Sequence, residues 1–173
     1  MAAGGPADIT RLVLAAQRQD RAAFAELYAL YSRMVHGLLL ARVTRTDVDD
    51  LVQDVFLQAM QRLPELREPQ AFGGWLASIA RHRATDHFRR AAPTTELPEN
   101  LPERRTDRPD ALAVLAAIRA LPEAYRETLT LRLVEGMTGP EIAARTGLTE
   151  GSVRVNLHRG MKLLRERLEG RSA

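Results

Sequence analysis

The chain contains no cysteine. That absence removes disulfides, thiolate metal sites and cysteine nucleophiles together, and it suits a reducing cytoplasm. Aromatic residues are scarce, at 5% of 173 residues. A core must therefore come mainly from aliphatic side chains, and the abundance of Ala, Leu and Arg favours helix. No stretch approaches the ~20 consecutive apolar residues that span a bilayer. The opening segment, MAAGGPADITR, has neither the basic start nor the apolar run of a secretory signal. The expectation is a cytoplasmic protein with no membrane contact of its own. No segment alternates with a period of two over more than a few residues, so strands are not expected.

Catalytic chemistry is also poorly supplied. His82 and His87 are five residues apart, which does not place two ligands on one helix face. Asp47, Asp49, Asp50 and Asp54 lack the glycine and terminal glutamate of a calcium loop. Gly4-Gly5 and Gly73-Gly74 lack the strand–turn–helix setting of a phosphate loop. No metal, cofactor or enzymatic activity is expected. Hydrophobic content of 45% and charged content of 27% are globular values. The net charge of +3 is mild, so nucleic-acid binding has to be judged from where the basic residues lie.

The most informative stretch is TGPEIAARTGLTEGSVRVNLHRGMKLLRERL, from Thr138 to Leu168. Thr138 and Glu141 form a capping box, with Pro140 in the first turn. Gly147 is the expected left-handed residue that ends a first helix. Thr149 caps a second helix, with Val153, Leu157, Met161, Leu164 and Leu168 as its inward stripe. This is the spacing of a helix-turn-helix whose second helix enters the major groove. Arg154, Val155, Asn156, His158, Arg159 and Lys162 lie off the stripe. Arginine can pair with guanine, asparagine with adenine and valine with a thymine methyl, while Lys162 is placed for phosphate.

Upstream, Asp8 and Asp20 are expected to cap two helices. The second carries Phe24, Leu27, Tyr28, Tyr31, Val35 and Leu38 at helical spacing. In DVDDLVQDVFLQAMQRL, Val48, Leu51, Val52, Val55, Ala59 and Leu63 gather on one face. Asp50, Gln53, Asp54 and Gln61 take the other, with Leu57 in their midst. That face reads either as a solvated surface with one stray leucine or as an apolar anchor ringed by carboxylates for a basic partner. A loop, PELREPQAFGG, precedes a helix expected from Trp75 to about Arg90, with Trp75, Leu76, Ile79, Ala80, Ala84 and Phe88 buried. Its other face carries Arg81, His82, Arg83, His87, Arg89 and Arg90, opposed only by Asp86. It reads as a solvated basic face or as a contact for phosphate and bases. The segment before Asp110 has four prolines, no apolar period and several glutamates, and it reads as a linker. Beyond it, Leu112, Leu115, Ala116 and Ile118 mark a fifth helix. Tyr125, Leu129, Leu133 and Val134 mark a sixth that should pack on the helix-turn-helix.

Taken in order, DLVQDVFLQAMQRL, FGGWLASIARHRATDHFRR, LPEAYRETLTLRLVEGMT and the helix-turn-helix resemble the extracytoplasmic-function (group IV) sigma factors of the sigma-70 family. These proteins direct bacterial RNA polymerase to promoters. The resemblance implies an all-α protein of two small helical domains joined by a flexible linker. It implies region 2 over 9–91, a linker over 92–109 and region 4 over 110–170, after a start over 1–8 that its small residues, glycines and proline mark as disordered. It implies that Asp50, Gln53, Asp54 and Leu57 meet the clamp helices of core polymerase, and that region 4 meets the flap. It implies that Phe72, Arg81, His82, Arg83, Asp86, His87 and Arg90 hold the opened −10 element. Ser152, Arg154, Val155, Asn156, His158, Arg159 and Lys162 are implied to read the −35 element. It also implies an anti-sigma protein as partner. The chain departs from the family pattern at His82, where asparagine is common, at the run Arg154-Val155-Asn156 and at Gly160-Met161. These differences bear on which promoter sequence is read. The alternative from a different class is a self-sufficient helix-turn-helix regulator with an N-terminal sensing or dimerisation domain.

Overall fold

A computed structural model describes residues 6–91 and 111–170 of the chain. Residues 1–5 of the expected disordered start and the whole expected linker over 92–109 lie outside the described residues, while 6–8 are not disordered but open helix α1, so that Asp8 lies within its first turn rather than capping it.

The described chain is helical, with no strand among the described residues. Helix α1 spans Pro6–Gln17 and buries Ile9, Leu12 and Val13, an i, i+3, i+4 set on one face. Its end is tied down by the Gln17 side-chain amide, which donates to the carbonyls of Leu63 at 3.0 Å and Leu66 at 2.8 Å. Helix α2, Arg21–Leu40, opens on Asp20, whose carboxylate accepts from the backbone N–H groups of Ala22 and Ala23. It forms the centre of the molecule and buries Leu27, Tyr31, Met34, Val35, Leu38 and Leu39. Helix α3, Val48–Arg62, buries the apolar face read from the sequence, with Phe56 added. Phe56 gains from aromatic neighbours, with Tyr28 4.5 Å and Phe24 6.5 Å away between ring centres.

Helix α4 spans Phe72–Ala91 and begins three residues before the expected start at Trp75. Short 3-10 turns at Leu63–Glu65 and Pro69–Ala71 replace the open loop. Gly73 and Gly74, read as loop residues, lie in the first turn of α4. There the missing side chains let the backbone of another segment approach: a Cβ on Gly73 would run into the Arg145 carbonyl. Phe88, expected in the core, is exposed, because its turn of α4 extends past the helices packed on the earlier turns.

The second half comprises α5 (Ala111–Arg119), α6 (Glu123–Leu133), α7 (Gly139–Thr146) and α8 (Glu150–Glu169). Ala117, Ile118, Leu121, Leu129 and Leu164 make a small core of their own. The all-α fold of two helical domains is as expected, and the two domains also share buried contacts. Leu131, Met137, Ile142, Ala143 and Val153 are buried in one continuous core with the residues of α1 to α4. Leu133 and Val134, expected against the helix-turn-helix, are exposed instead. Met161 is exposed as well, and Gly160 takes the buried place on α8. A Cβ at Gly160 would stand 3.1 Å from Leu129 Cδ1, so glycine here permits close crossing of α8 over α6.

Candidate nucleic-acid interface

The helix-turn-helix is built as its residues dictate. Thr138 Oγ1 accepts from the Glu141 N–H at 3.3 Å, and the Glu141 carboxylate accepts from the Thr138 N–H at 2.7 Å. These bonds, backbone first, hold the Glu141 carboxyl below the usual glutamate range. Gly147 ends α7 at φ 78°, a left-handed conformation that glycine takes without strain, and its N–H donates to the Ala143 carbonyl. Thr149 caps α8 by accepting from the Ser152 N–H at 3.1 Å, and its hydroxyl donates to Ser152 Oγ at 2.8 Å. Ser152 thus orients the start of the helix. Val153 and Leu164 are buried under α8, while Arg154, Val155, His158, Arg159 and Lys162 are exposed and Asn156 is half-buried. Arg154, Val155, His158, Arg159 and Lys162 share one outward surface, with Asn156 at its edge.

On α4 the expected residues divide. Phe72 is 0% exposed and packs against Tyr31 and Trp75 at 5.0 and 5.8 Å between ring centres. It is a core residue that anchors the helix start and is not presented at the surface, contrary to expectation. His82, Arg89 and Arg90 are exposed, and Arg83, Asp86 and His87 are half-buried. His82 Nδ1 lies 2.8 Å from the Ser78 carbonyl and donates to it, which fixes the orientation of the exposed ring. Arg83 Nη2 donates to Asp54 at 2.7 Å, and His87 Nε2 lies 3.2 Å from Asp47. The first joins the basic face of α4 to the acidic face of α3, and the second reaches the turn that precedes α3.

Arg81 is committed elsewhere. Its Nε and Nη2 donate to the two carboxylate oxygens of Glu127 on α6, at 2.9 and 3.0 Å. Arg42, at the end of α2, pairs with the same carboxylate and with Glu123. Burial pushes the Glu127 carboxyl upward, but hydrogen bonds from Arg81 and the charge of Arg42 outweigh it and bring the group below its ordinary range. The same hydrogen bonds, opposed by burial, raise the Arg81 guanidinium above its usual value.

On α3, Asp50 and Gln53 are exposed, Asp54 is half-buried and Leu57 is 54% exposed. Met60, three residues on and also about one-half exposed at 49%, widens the apolar spot. The i, i+3 relation to Leu57 was the available signal for Met60. Glu127 had no such signal, since its partners lie 46 and 85 residues away. Among the described residues no acidic or histidine cluster is arranged to hold a metal ion, and no helix is long and apolar enough to cross a membrane.

Comparison with known proteins agrees with this layout. Residues 27–94 match the family model described as Sigma-70 region 2, and residues 111–164 match Sigma-70, region 4. The ECF RNA polymerase sigma factor SigF of Caulobacter vibrioides is 31% identical over 86% of this chain and 87% of its own. The ECF RNA polymerase sigma factor SigD of Mycobacterium tuberculosis is 32% identical over 86% of this chain and 78% of its own. Among solved structures, CnrH in complex with the cytosolic domain of CnrY is similar at a TM-score of 0.64 and 28% identity, covering 94% of this chain and 98% of that one.

Proposed function

The chain belongs to the sigma-70 family, among the ECF RNA polymerase sigma factors, and from that premise we propose how its residues divide the work of finding and opening a promoter. The observation that carries the reading is the exposed row Arg154, Val155, His158, Arg159 and Lys162 on a doubly capped recognition helix. Arg154, Val155 and Asn156 face base edges of the −35 element. His158, Arg159 and Lys162 hold register through the backbone. Ser152 orients the helix start.

Region 2, over 9–91, meets core polymerase and the opened −10 strand. Leu57, widened by Met60 and ringed by Asp50, Gln53 and Asp54, suits a basic helical partner such as the clamp helices. His82, exposed on α4 and oriented by its bond to the Ser78 carbonyl, meets a flipped or unstacked base. Arg81, Arg83, His87 and Arg90 supply phosphate contacts, and Asp86 limits how closely the strand approaches. Region 4, over 110–170, docks on the flap. The chain performs no catalysis itself, needs no cofactor and works in the cytoplasm at the nucleoid. CnrH was solved bound to the cytosolic domain of another protein, and an anti-sigma protein is a partner we assign to this chain as well.

Run-off transcription with core polymerase tests the reading. The chain should direct initiation from a cognate template, and Leu57→Ala should weaken core binding at unchanged helix content. Arg154→Ala should cost ~1–3 kcal/mol of discrimination at one −35 position, whereas Lys162→Ala should weaken binding evenly across sequences. Absence of both core binding and transcription would sink it.

A further inference from the structure

We infer that Gly160 is a positioning residue for promoter reading: by letting α8 sink onto α6, it sets how far the phosphate-holding half of the recognition helix stands out from region 4. The inference rests on the reading of α8 as the −35 helix and deepens it, since Gly160 is itself buried and acts only through its neighbours on the helix.

Three helical glycines are buried among the described residues: Gly37, Gly73 and Gly160. Gly37 of α2 and Gly73 of α4 clear atoms of the other half of the chain. A Cβ on Gly37 would meet Leu131 Cδ2 at 2.7 Å, and one on Gly73 would run into the Arg145 carbonyl. Gly160 differs, because the nearest atoms it clears belong to α6 of its own half. A Cβ there would stand 3.1 Å from Leu129 Cδ1, 3.2 Å from Leu129 Cγ and 3.2 Å from Tyr125 Cβ. These neighbours have little room to yield. Leu129 is 0% exposed and packs with Ala117, Ile118, Leu121 and Leu164. The Tyr125 Cβ moves only with its helix. Glycine in a helix interior is unfavourable relative to alanine. Here alanine would bring a crowded contact that only a wider spacing of the two helices relieves.

The recognition helix rests on the protein at three places. Its start is fixed by the Thr149 cap and by Val153, which is 1% exposed. Its middle lies on α6 at Gly160. Its far end is tied by Arg167, whose Nη1 donates to the Ala120 carbonyl at 2.7 Å. That last tie is a long exposed side chain, which can follow a small shift of the helix. The middle support therefore decides the tilt. A methyl at residue 160 that retreats to ordinary carbon–carbon contact lifts this turn by roughly 0.5 Å. The pivot at Val153 is about 10 Å away, at ~1.5 Å per residue. Arg154 sits beside the pivot and scarcely moves. Lys162 lies beyond residue 160 and is carried outward by more than the lift itself. The glycine thus separates two duties of one helix. The cap sets the end that reads bases, and the depth of the crossing sets the end that holds phosphates through His158, Arg159 and Lys162. A charge-assisted bond to phosphate is held at ~2.7–2.9 Å, so a row lifted against a fixed base-reading end loses its register.

The full chain assembled with core polymerase provides the test. Promoter binding is measured over a range of salt concentrations, on a duplex template from which the chain initiates. Gly160→Ala should weaken binding about three- to tenfold at unchanged helix content, with a shallower salt dependence because phosphate contacts are what is lost. Combined with Lys162→Ala, it should add less than about twofold to the loss from Lys162→Ala alone, since both changes remove one set of contacts. Combined with Arg154→Ala, the two losses should multiply. Leu129→Val added to Gly160→Ala removes the nearest of the crowded atoms, and it should restore at least about half of the lost affinity and any lost folding. Binding by Gly160→Ala within about 1.5-fold of the parent, or losses that multiply with Lys162→Ala, would overturn the inference. So would a Leu129→Val partner that restores folding but not affinity. Unchanged binding in both Arg154→Ala and Lys162→Ala would instead remove the reading of α8 on which the inference rests.

Discussion

The helices over Pro6–Ala91 supply most of the main core, including Val13, Leu27, Val35, Val55, Leu63 and Leu76, each at most 1% exposed. The helices over Ala111–Glu169 close only the cluster of Ala117, Ile118, Leu121, Leu129 and Leu164 among themselves, and they place Leu131, Ile142 and Val153 into the core of the other half. One region has a complete interior, and the other completes its interior by docking. The half that keeps its own core carries the proposed polymerase-facing helix α3, and the half that borrows carries the helix-turn-helix.

The comparison breaks most sharply at Leu131. Leu131→Ala should cost about 2–5 kcal/mol in urea melts of the full chain, as a truncated leucine does in a sealed core. A cost below ~1 kcal/mol would mean that region 4 does not depend on its host. A smaller effect sharpens the opposite point, that the helix-turn-helix is locally determined. Thr138→Ala should cost ~1 kcal/mol through loss of the cap. Hydrogen exchange should locate that loss in the first turn of α7, with α1 to α4 unaffected. Loss of protection in α2 would show that the cap is coupled to the docked core.

The smallest effect is one of pH. The hydrogen bond to Glu135 raises the His36 pKa, helped by the charges of Glu135 and Asp49 and opposed by burial and Arg45. A raised folded pKa gives stability that is complete below the ordinary histidine value of ~6.5 and lost as pH rises through the folded value. Glu127 acts in the opposite sense. Its folded pKa is depressed, so its contribution is present above the ordinary glutamate range and lost as pH falls through the folded value. Docking should therefore be firmest in mildly acidic solution. His36→Gln should remove the upper limb of that profile, by at most ~1 kcal/mol after screening of a side chain that is 35% exposed. Identical pH profiles for His36→Gln and the parent chain would exclude His36 from the boundary.

Much of the site was legible because its signals are local. The capping box at Thr138 and Glu141, the left-handed Gly147 and the Thr149 cap depend on residues within a few positions of one another, and each forms as read. The outward row on α8 follows from helix geometry once the caps are placed. Phe72 and Phe88 exchanged their expected places for a non-local reason. Both are aromatic and near the ends of one helix, and only the position of Tyr31 beside Phe72 makes one the core residue. Met161 likewise yielded its buried place to Gly160, because α6 crosses too closely to admit a side chain there.

The sequence by itself determined that the chain is helical, the caps at Asp20, Thr138 and Thr149, the order of the family segments and the chemistry offered on each face, since these are set by residues three or four apart along a chain with a regular period. Only the tertiary structure decided that Arg81 is held by Glu127, that Gly37 and Gly73 are clearances for another helix, and that the two halves share a core. Those facts depend on partners tens of residues distant, brought together by burial, and no local period encodes them.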